Sequence, residues 1–199
     1  MPILLRSIPM SPVTMSRYKA FTITANGVLK VLNTPCQICE AISVKELAEG
    51  KPHPHGESFT AVWDTGASSS AISRKVVDAL HLIPTGRGIS KTAGGTISVE
   101  TYSINVLLPT GVGFSSLSVA CVNMEPDILI GMDIISLGDF SLTHQGGKTC
   151  FSFQTPSSHY VDYVQELEKY KKMHESWAKS HNEKCPCGSG KLWKNCHGA

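Results

Sequence analysis

The stretch Phe59-Thr60-Ala61-Val62-Trp63-Asp64-Thr65-Gly66-Ala67 constrains this chain more than any other. A short run of apolar and β-prone residues leads directly into a carboxylate, a small hydroxyl residue and glycine. Such a run predicts a buried strand, and Asp-Thr-Gly predicts a tight turn at its end. A carboxylate placed there is held by rigid backbone. A second apolar run, Ile128-Leu129-Ile130, ends at Gly131, where a second backbone is expected to pass close by.

The remaining pattern up to about residue 155 is mostly β. Residues 18–32 read as a hairpin around Asn26-Gly27, a strong local turn signal. Pro35-Cys36-Gln37-Ile38-Cys39 follows, then a short helical patch over Val44–Glu49 and a Pro/Gly loop at 51–56. Ser73 is a plausible N-cap for a helix over Arg74–Leu80. Two β runs flank Gly94-Gly95, Pro109-Thr110-Gly111 is a turn, 114–122 is a strand, and 139–154 is a hairpin around Gly146-Gly147. The first residues lack this patterning. Residues 1–16 are expected to be a flexible tail, and Met15 is a candidate start.

From Ser157 glycine and proline disappear. Tyr160, Val164, Leu167, Tyr170, His174 and Trp177 recur at helical spacing, and Glu168–Lys172 and Glu175–Lys179 are helix-supporting pairs. Residues 156–183 therefore predict one amphipathic helix. Residues 184–199 end in Cys185-x-Cys187, then Cys196-His197. Three thiols and an imidazole form a tetrahedral zinc set. So short a segment has no core of its own, and metal must supply its folding energy. Cys36 and Cys39 with His53 and His55 are a weaker candidate set; two ordinary half-buried thiols are the alternative.

Charge narrows the function. Residues 1–155 carry 11 basic and 11 acidic residues, and the net +2 arises beyond them. No basic block marks a nucleic-acid surface. No run of 18 apolar residues exists to cross a membrane. The seven cysteines follow no disulfide framework, so the cytoplasm is the expected compartment. The chain has no G-x-S-x-G, H-E-x-x-H, Walker A or G-x-G-x-x-G signature.

Asp64-Thr65-Gly66-Ala67, the segment Lys91–Tyr102 and the run Ile128–Ile135 together resemble the retropepsin family, the retroviral-type aspartic proteases. The resemblance implies a mainly β fold over residues 17–155: a closed acid-protease barrel with short helices. It implies that Asp64 is catalytic, that Thr65 pairs across a two-fold axis, and that Gly66 lets backbone approach the carboxylates. Ala93, Gly94 and Gly95 would form the tip of a substrate flap. Met132 stands where retroviral enzymes often carry Arg, and the segments 33–58 and 139–154 look like additions. In retroviral proteases the terminal strands build the dimer interface; here it is expected to be built differently. The end of the chain resembles the SEC-C motif, the zinc knuckle that ends SecA. That implies zinc held by Cys185, Cys187, Cys196 and His197, and a docking role toward a protein partner or the ribosome.

The chemistry asks for a pair. Peptide hydrolysis by an activated water needs one group to take a proton and another to give one, and two carboxyls sharing a proton do both. The chain has one Asp-Thr-Gly, so a homodimer is expected, with Asp64 from each copy and a polypeptide substrate. Ala67 cannot donate a side-chain hydrogen bond beside the carboxylates, so activity is expected at mildly acidic to near-neutral pH. The competing expectation is a non-catalytic dimeric scaffold of the same fold that presents the knuckle.

Overall fold

The structure, a computed structural model, describes residues 4–6, 18–42, 44–50, 52, 54–92, 95–178 and 183–197. Contacts divide the chain into two units, Met1–Ser158 and His159–Ala199. In order, the first unit contains β1 (Leu4–Arg6), β2 (Lys19–Ala25), β3 (Asn33–Glu40), α1 (Val44–Ala48), β4 (Glu57–Trp63), β5 (Ala71–Ile72) and α2 (Arg74–Ala79). Then come β6 (Gly86–Thr92), β7 (Gly95–Leu108), β8 (Val112–Cys121), β9 (Ile128–Ile130), α3 (Met132–Ile135), β10 (Asp139–Thr143) and β11 (Thr149–Thr155). The second unit holds α4 (Tyr163–Ala178) and a short 3-10 turn at Trp193–Asn195.

Hydrogen bonds join β3-β4-β9-β5-β8-β7-β6 in that order, and β3 also pairs with β7. The extra pairing closes six strands into a barrel and leaves β6 outside it as the outer strand of a β6–β7 hairpin. Period-2 burial explains the closure: Thr34, Cys36 and Ile38 of β3 point inward, as do Phe59, Ala61 and Trp63 of β4. Ile72, Ile104, Val106, Ile128, Ile130 and Ile134 complete an apolar, buried interior. The Trp63 indole N–H is satisfied inside it by the Thr34 hydroxyl, 3.0 Å away.

A four-stranded sheet, β1-β2-β11-β10, lies beside the barrel. Its inner side is aromatic: Phe21, Phe140, Phe151 and Phe153 pack with Trp63 at ring separations of 4.9–6.0 Å. This packing overrides the hairpin expected at 18–32. β2 does not pair with β3; it pairs with β11, Phe21 opposite Phe153 and Ile23 opposite Phe151. Burial of those rings outweighs the local Asn26-Gly27 signal. Gly27 still turns the chain, but its carbonyl accepts from the Thr149 N–H and hydroxyl.

Other expectations also change. Residues 33–40 belong to the barrel and are not an added segment, so only part of 33–58 lies outside the strands. Leu4–Arg6, inside the expected loose tail, pairs with Arg6–Thr22, Leu5–Ile23 and Leu4–Thr24 register. The long helix begins at Tyr163, not Ser157, because the Asp162 carboxylate accepts the Val164 and Gln165 N–H groups and starts it there. The Pro109–Gly111 and Gly146-Gly147 turns fall where expected, and β6 and β7 pair on either side of the position expected for the Gly94-Gly95 turn. Met15 lies outside the described residues.

Candidate active site and metal centre

Asp64 follows the last residue of β4. Its N–H donates to the Ile130 carbonyl at 3.0 Å, so the two apolar runs singled out in the sequence are neighbouring parallel strands. The chain then reverses. The Gly66 N–H donates to Asp64 Oδ1 at 2.8 Å, fixing the carboxylate against its own turn. A Cβ on residue 66 would stand 3.1 Å from that oxygen. Asp64 is half-buried, while Thr65 and Gly66 are exposed.

The turn is braced from α3. Met132 N–H donates to the Ala67 carbonyl at 2.8 Å. A Cβ on residue 131 would lie 2.6 Å from the Ser69 carbonyl carbon and 2.8 Å from its oxygen, so only glycine fits there. This is the close backbone passage expected of Gly131. Asp133 closes the brace: its carboxylate accepts the Ser70 N–H at 2.9 Å, the Ser70 hydroxyl at 2.7 Å and the Ile134 N–H at 3.0 Å. The buried Ser70 hydroxyl in turn accepts the Gly131 N–H at 3.0 Å.

Sequence reasoning missed Ser70 and Asp133 as positioning residues. Ser70 was one of three consecutive serines, with nothing local to distinguish it. The Gly131-x-Asp133 spacing was a visible signal without an assigned partner.

Two further ties hold the surroundings. Asp127 accepts from Lys75 Nζ at 2.7 Å and from the Thr60 N–H at 2.9 Å, and its carbonyl accepts the Ser73 N–H. Burial pushes the Asp127 carboxyl up, but Lys75 and the Thr60 N–H together hold it below its ordinary value. Ser73 stands at the N-cap position of α2 as expected. Its buried hydroxyl makes no cap bond and has no hydrogen-bond partner, so the cap is positional only. Arg74, beside it, reaches Glu100 at 3.1 Å and the Tyr102 hydroxyl at 3.3 Å, and Tyr102 donates to Glu100 at 2.8 Å. The Tyr102 hydroxyl, then Arg74, hold Glu100 below its ordinary value. This group ties α2 to the root of the β6–β7 hairpin. β6 and β7 form an antiparallel hairpin from Gly86–Thr101 to Thr92–Gly95, with Gly95 at φ 115°. Ala93 and Gly94 lie outside the described residues.

The Cys36–Cys39 set does not assemble. Cys36 faces the barrel interior, donates to the Phe59 carbonyl, and has its thiol pushed up to about 12, first by burial and then by Asp127. Cys39, three residues along a strand, faces the other side and lies by the Asn105 amide. His53 lies outside the described residues.

In the second unit the four expected ligands converge. Ligand atoms of Cys185, Cys187, Cys196 and His197 all lie within 4.8 Å of one another. Cys187 and Cys196 sulfurs are 3.6 Å apart, and His197 Nδ1 is 3.2 Å from Cys185 and 3.3 Å from Cys196. Tetrahedral zinc with sulfur and nitrogen ligands gives edges of about 3.5–3.8 Å, so the donor set fits that ion. A single bridge between Lys184 and Leu192, with Gly188 and Gly190 at positive φ, folds the two ligand pairs onto each other. The Ser189 hydroxyl and N–H bring the Cys187 thiol down to about 6, toward the thiolate a metal needs. Trp193, buried, stacks on the His197 ring at 6.1 Å.

Residues 53–136 match the family described as gag-polyprotein putative aspartyl protease, and residues 182–199 match the SEC-C motif. The chain thus has a region similar to the gag-type aspartyl protease domain and one similar to the SEC-C motif. Among solved structures, the chain is similar to a retropepsin-like aspartic protease from Rickettsia conorii, at 13% identity, 69% of this chain and 95% of that chain, with a TM-score of 0.42. It is also similar to the simian foamy virus (mac) protease, at 15% identity, 53% and 92% coverage, with a TM-score of 0.36. The protease-domain match spans both braces of the Asp64 turn, and the SEC-C match spans all four metal-centre residues. No helix among the described residues is long and apolar enough to cross a membrane.

Proposed function

We propose that this protein is an aspartic endopeptidase that works as a homodimer, with Asp64 from each copy forming the catalytic pair. The observation that carries this reading is the Asp64 turn. Its carboxylate is fixed by the Gly66 N–H at the end of a barrel strand and is braced through Gly131 and Asp133. Such a group is pre-organised, which catalysis by positioned carboxylates requires.

In this mechanism one carboxyl accepts a proton from a water as that water attacks the scissile carbonyl. The other donates its proton, and the departing amine leaves protonated. Thr65 steadies the facing turns across the two-fold axis. The β6–β7 hairpin, through Ala93, Gly94 and Gly95, closes over the polypeptide and excludes bulk water. Cys185, Cys187, Cys196 and His197 hold a structural zinc, and the knuckle docks the enzyme to a protein partner. A cytoplasmic setting suits its free thiols.

Asp64→Asn tests the reading. Peptide cleavage should fall to background and pepstatin-type inhibitor binding should vanish, with dimer and zinc content unchanged. A wild-type protein that cleaves nothing in a broad peptide library would establish the scaffold reading instead, in which the same fold only presents the knuckle.

A further inference from the structure

Strand β7 is longer than the wall of the barrel it belongs to. From Thr101 to Leu108 it pairs with β8, but residues 95–100 pair with β6 alone. The β6–β7 hairpin therefore leaves the barrel at Thr101, and Glu100 is the first residue beyond that point. On the β6 side the root is Gly86-Arg87-Gly88. A Cβ on residue 86 would stand 3.1 Å from the Thr101 hydroxyl, so glycine makes room there for β7. Glycine inside a strand also weakens it, so backbone pairing holds this root loosely.

Side chains from α2 add the missing tie. The Arg74 guanidinium reaches Glu100 at 3.1 Å and the Tyr102 hydroxyl at 3.3 Å, and that hydroxyl donates to the same Glu100 oxygen at 2.8 Å. Tyr102 is fully buried, and α2 is itself anchored: Lys75 pairs with Asp127, the Ser73 N–H donates to the Asp127 carbonyl, and Val76 and Val77 are buried. A second cation lies on the hairpin. Arg87 stands directly opposite Glu100 in the β6–β7 register, where cross-strand side chains are neighbours, and its charge also favours the Glu100 carboxylate. Among the described residues, Glu100 is bonded to Arg74 and Tyr102 and makes no ion pair with Arg87.

We propose that Glu100 is a positioning residue that alternates between these two arginines. Bonded to Arg74, it holds the hairpin to α2 in the stance of this structure. Bonded to Arg87, it ties the hairpin only to itself and leaves it free to swing about Thr101. The first state keeps the hairpin over bound polypeptide; the second lets substrate enter and product leave. The inference rests on the endopeptidase reading, in which this hairpin covers the substrate. The Arg74 and Glu100 side chains are 57% and 37% exposed, and ion pairs at such sites are weak. A weak tie suits a contact that must break in every catalytic cycle.

Two substitutions in the full-length protein should act in opposite directions. Arg74→Gln leaves Glu100 to Arg87. Amide hydrogen exchange in residues 86–92 and 95–100 should quicken about three- to fivefold, the size of one exposed pair, and KM should rise by a similar factor with kcat changed less. Arg87→Gln leaves Glu100 to Arg74. Amide exchange in the same residues should slow, KM should fall, and kcat should fall with slower product release. Arg74→Lys keeps a cation beside Glu100 and should restore most of the wild-type behaviour. Arg74 and Arg87 are exposed, so unchanged circular dichroism is expected for all three variants and separates a freed hairpin from lost folding. A merely structural network predicts that both glutamine variants loosen the hairpin. If amide exchange rises in both, or changes in neither, the alternation of Glu100 is wrong while the endopeptidase reading survives. If it moves in opposite directions but wild type cleaves no peptide, the alternation stands and the endopeptidase reading falls.

Discussion

At Asp133 one carboxylate accepts three hydrogen bonds and joins Ser70 to the start of α3. Removing it strands a Ser70 N–H in a mostly buried place. Asp133→Ala should cost on the order of 1–3 kcal/mol, read by urea denaturation, and should lower peptidase kcat by loosening the Asp64 turn. Asp133→Asn keeps one acceptor oxygen and should lose less. Gly131→Ala should be worse tolerated than either for stability, since its Cβ would lie 2.6 Å from backbone that cannot swing away. Asp127 gives a pH signature. Its carboxyl is held low in the folded state, so its contribution is present at neutral pH and is lost as pH falls through and below the ordinary carboxylate range, about 4. Asp127→Asn should therefore destabilise the protein at pH 7 and have a shrinking effect as acid is added, measured by thermal melts across pH.

Among the elements, the Cys/His segment at 183–197 stands out because it buries so little apolar surface of its own. Its described residues bury Cys185 and Trp193 and little more. Zinc removal should unfold it without melting the barrel. A strong chelator should make the thiols of Cys185, Cys187 and Cys196 accessible to alkylation, counted by mass spectrometry. Cys36, buried and pushed up to about 12, should remain unlabelled until the barrel unfolds. Much at this scale was legible in the sequence. The 4-and-3 spacing predicted α4, and the turn glycines placed the β6–β7 and β10–β11 hairpins. The start of α4 was misjudged because Asp162, a cap, looks like any other acidic residue until its carboxylate is seen on the Val164 and Gln165 N–H groups. β3 was misjudged because Pro35 and two cysteines mask a strand whose inward face is Thr34, Cys36 and Ile38.

For the molecule as a whole, the first unit contains the barrel core and the aromatic sheet, and among the described residues the second adds none of the large fully buried side chains. A chain ending at Ser158 should keep the barrel's melting temperature within a few degrees, checked by calorimetry, and should bind no zinc. The sequence by itself singled out the candidate residues: one Asp-Thr-Gly behind an apolar strand, a Gly131 that must admit another backbone, and three cysteines and a histidine at knuckle spacing. These are local facts, set by residue type and by separation along a few turns of chain. Only the tertiary structure decided which strands pair. It sent β2 to β11 rather than into its own hairpin, closed β3 against β7, turned Cys36 and Cys39 to opposite faces, and brought Ser70 to Asp133 across 63 residues. Those choices depend on buried aromatic contacts and long-range hydrogen bonds whose partners lie far apart in the chain, and no local propensity encodes them.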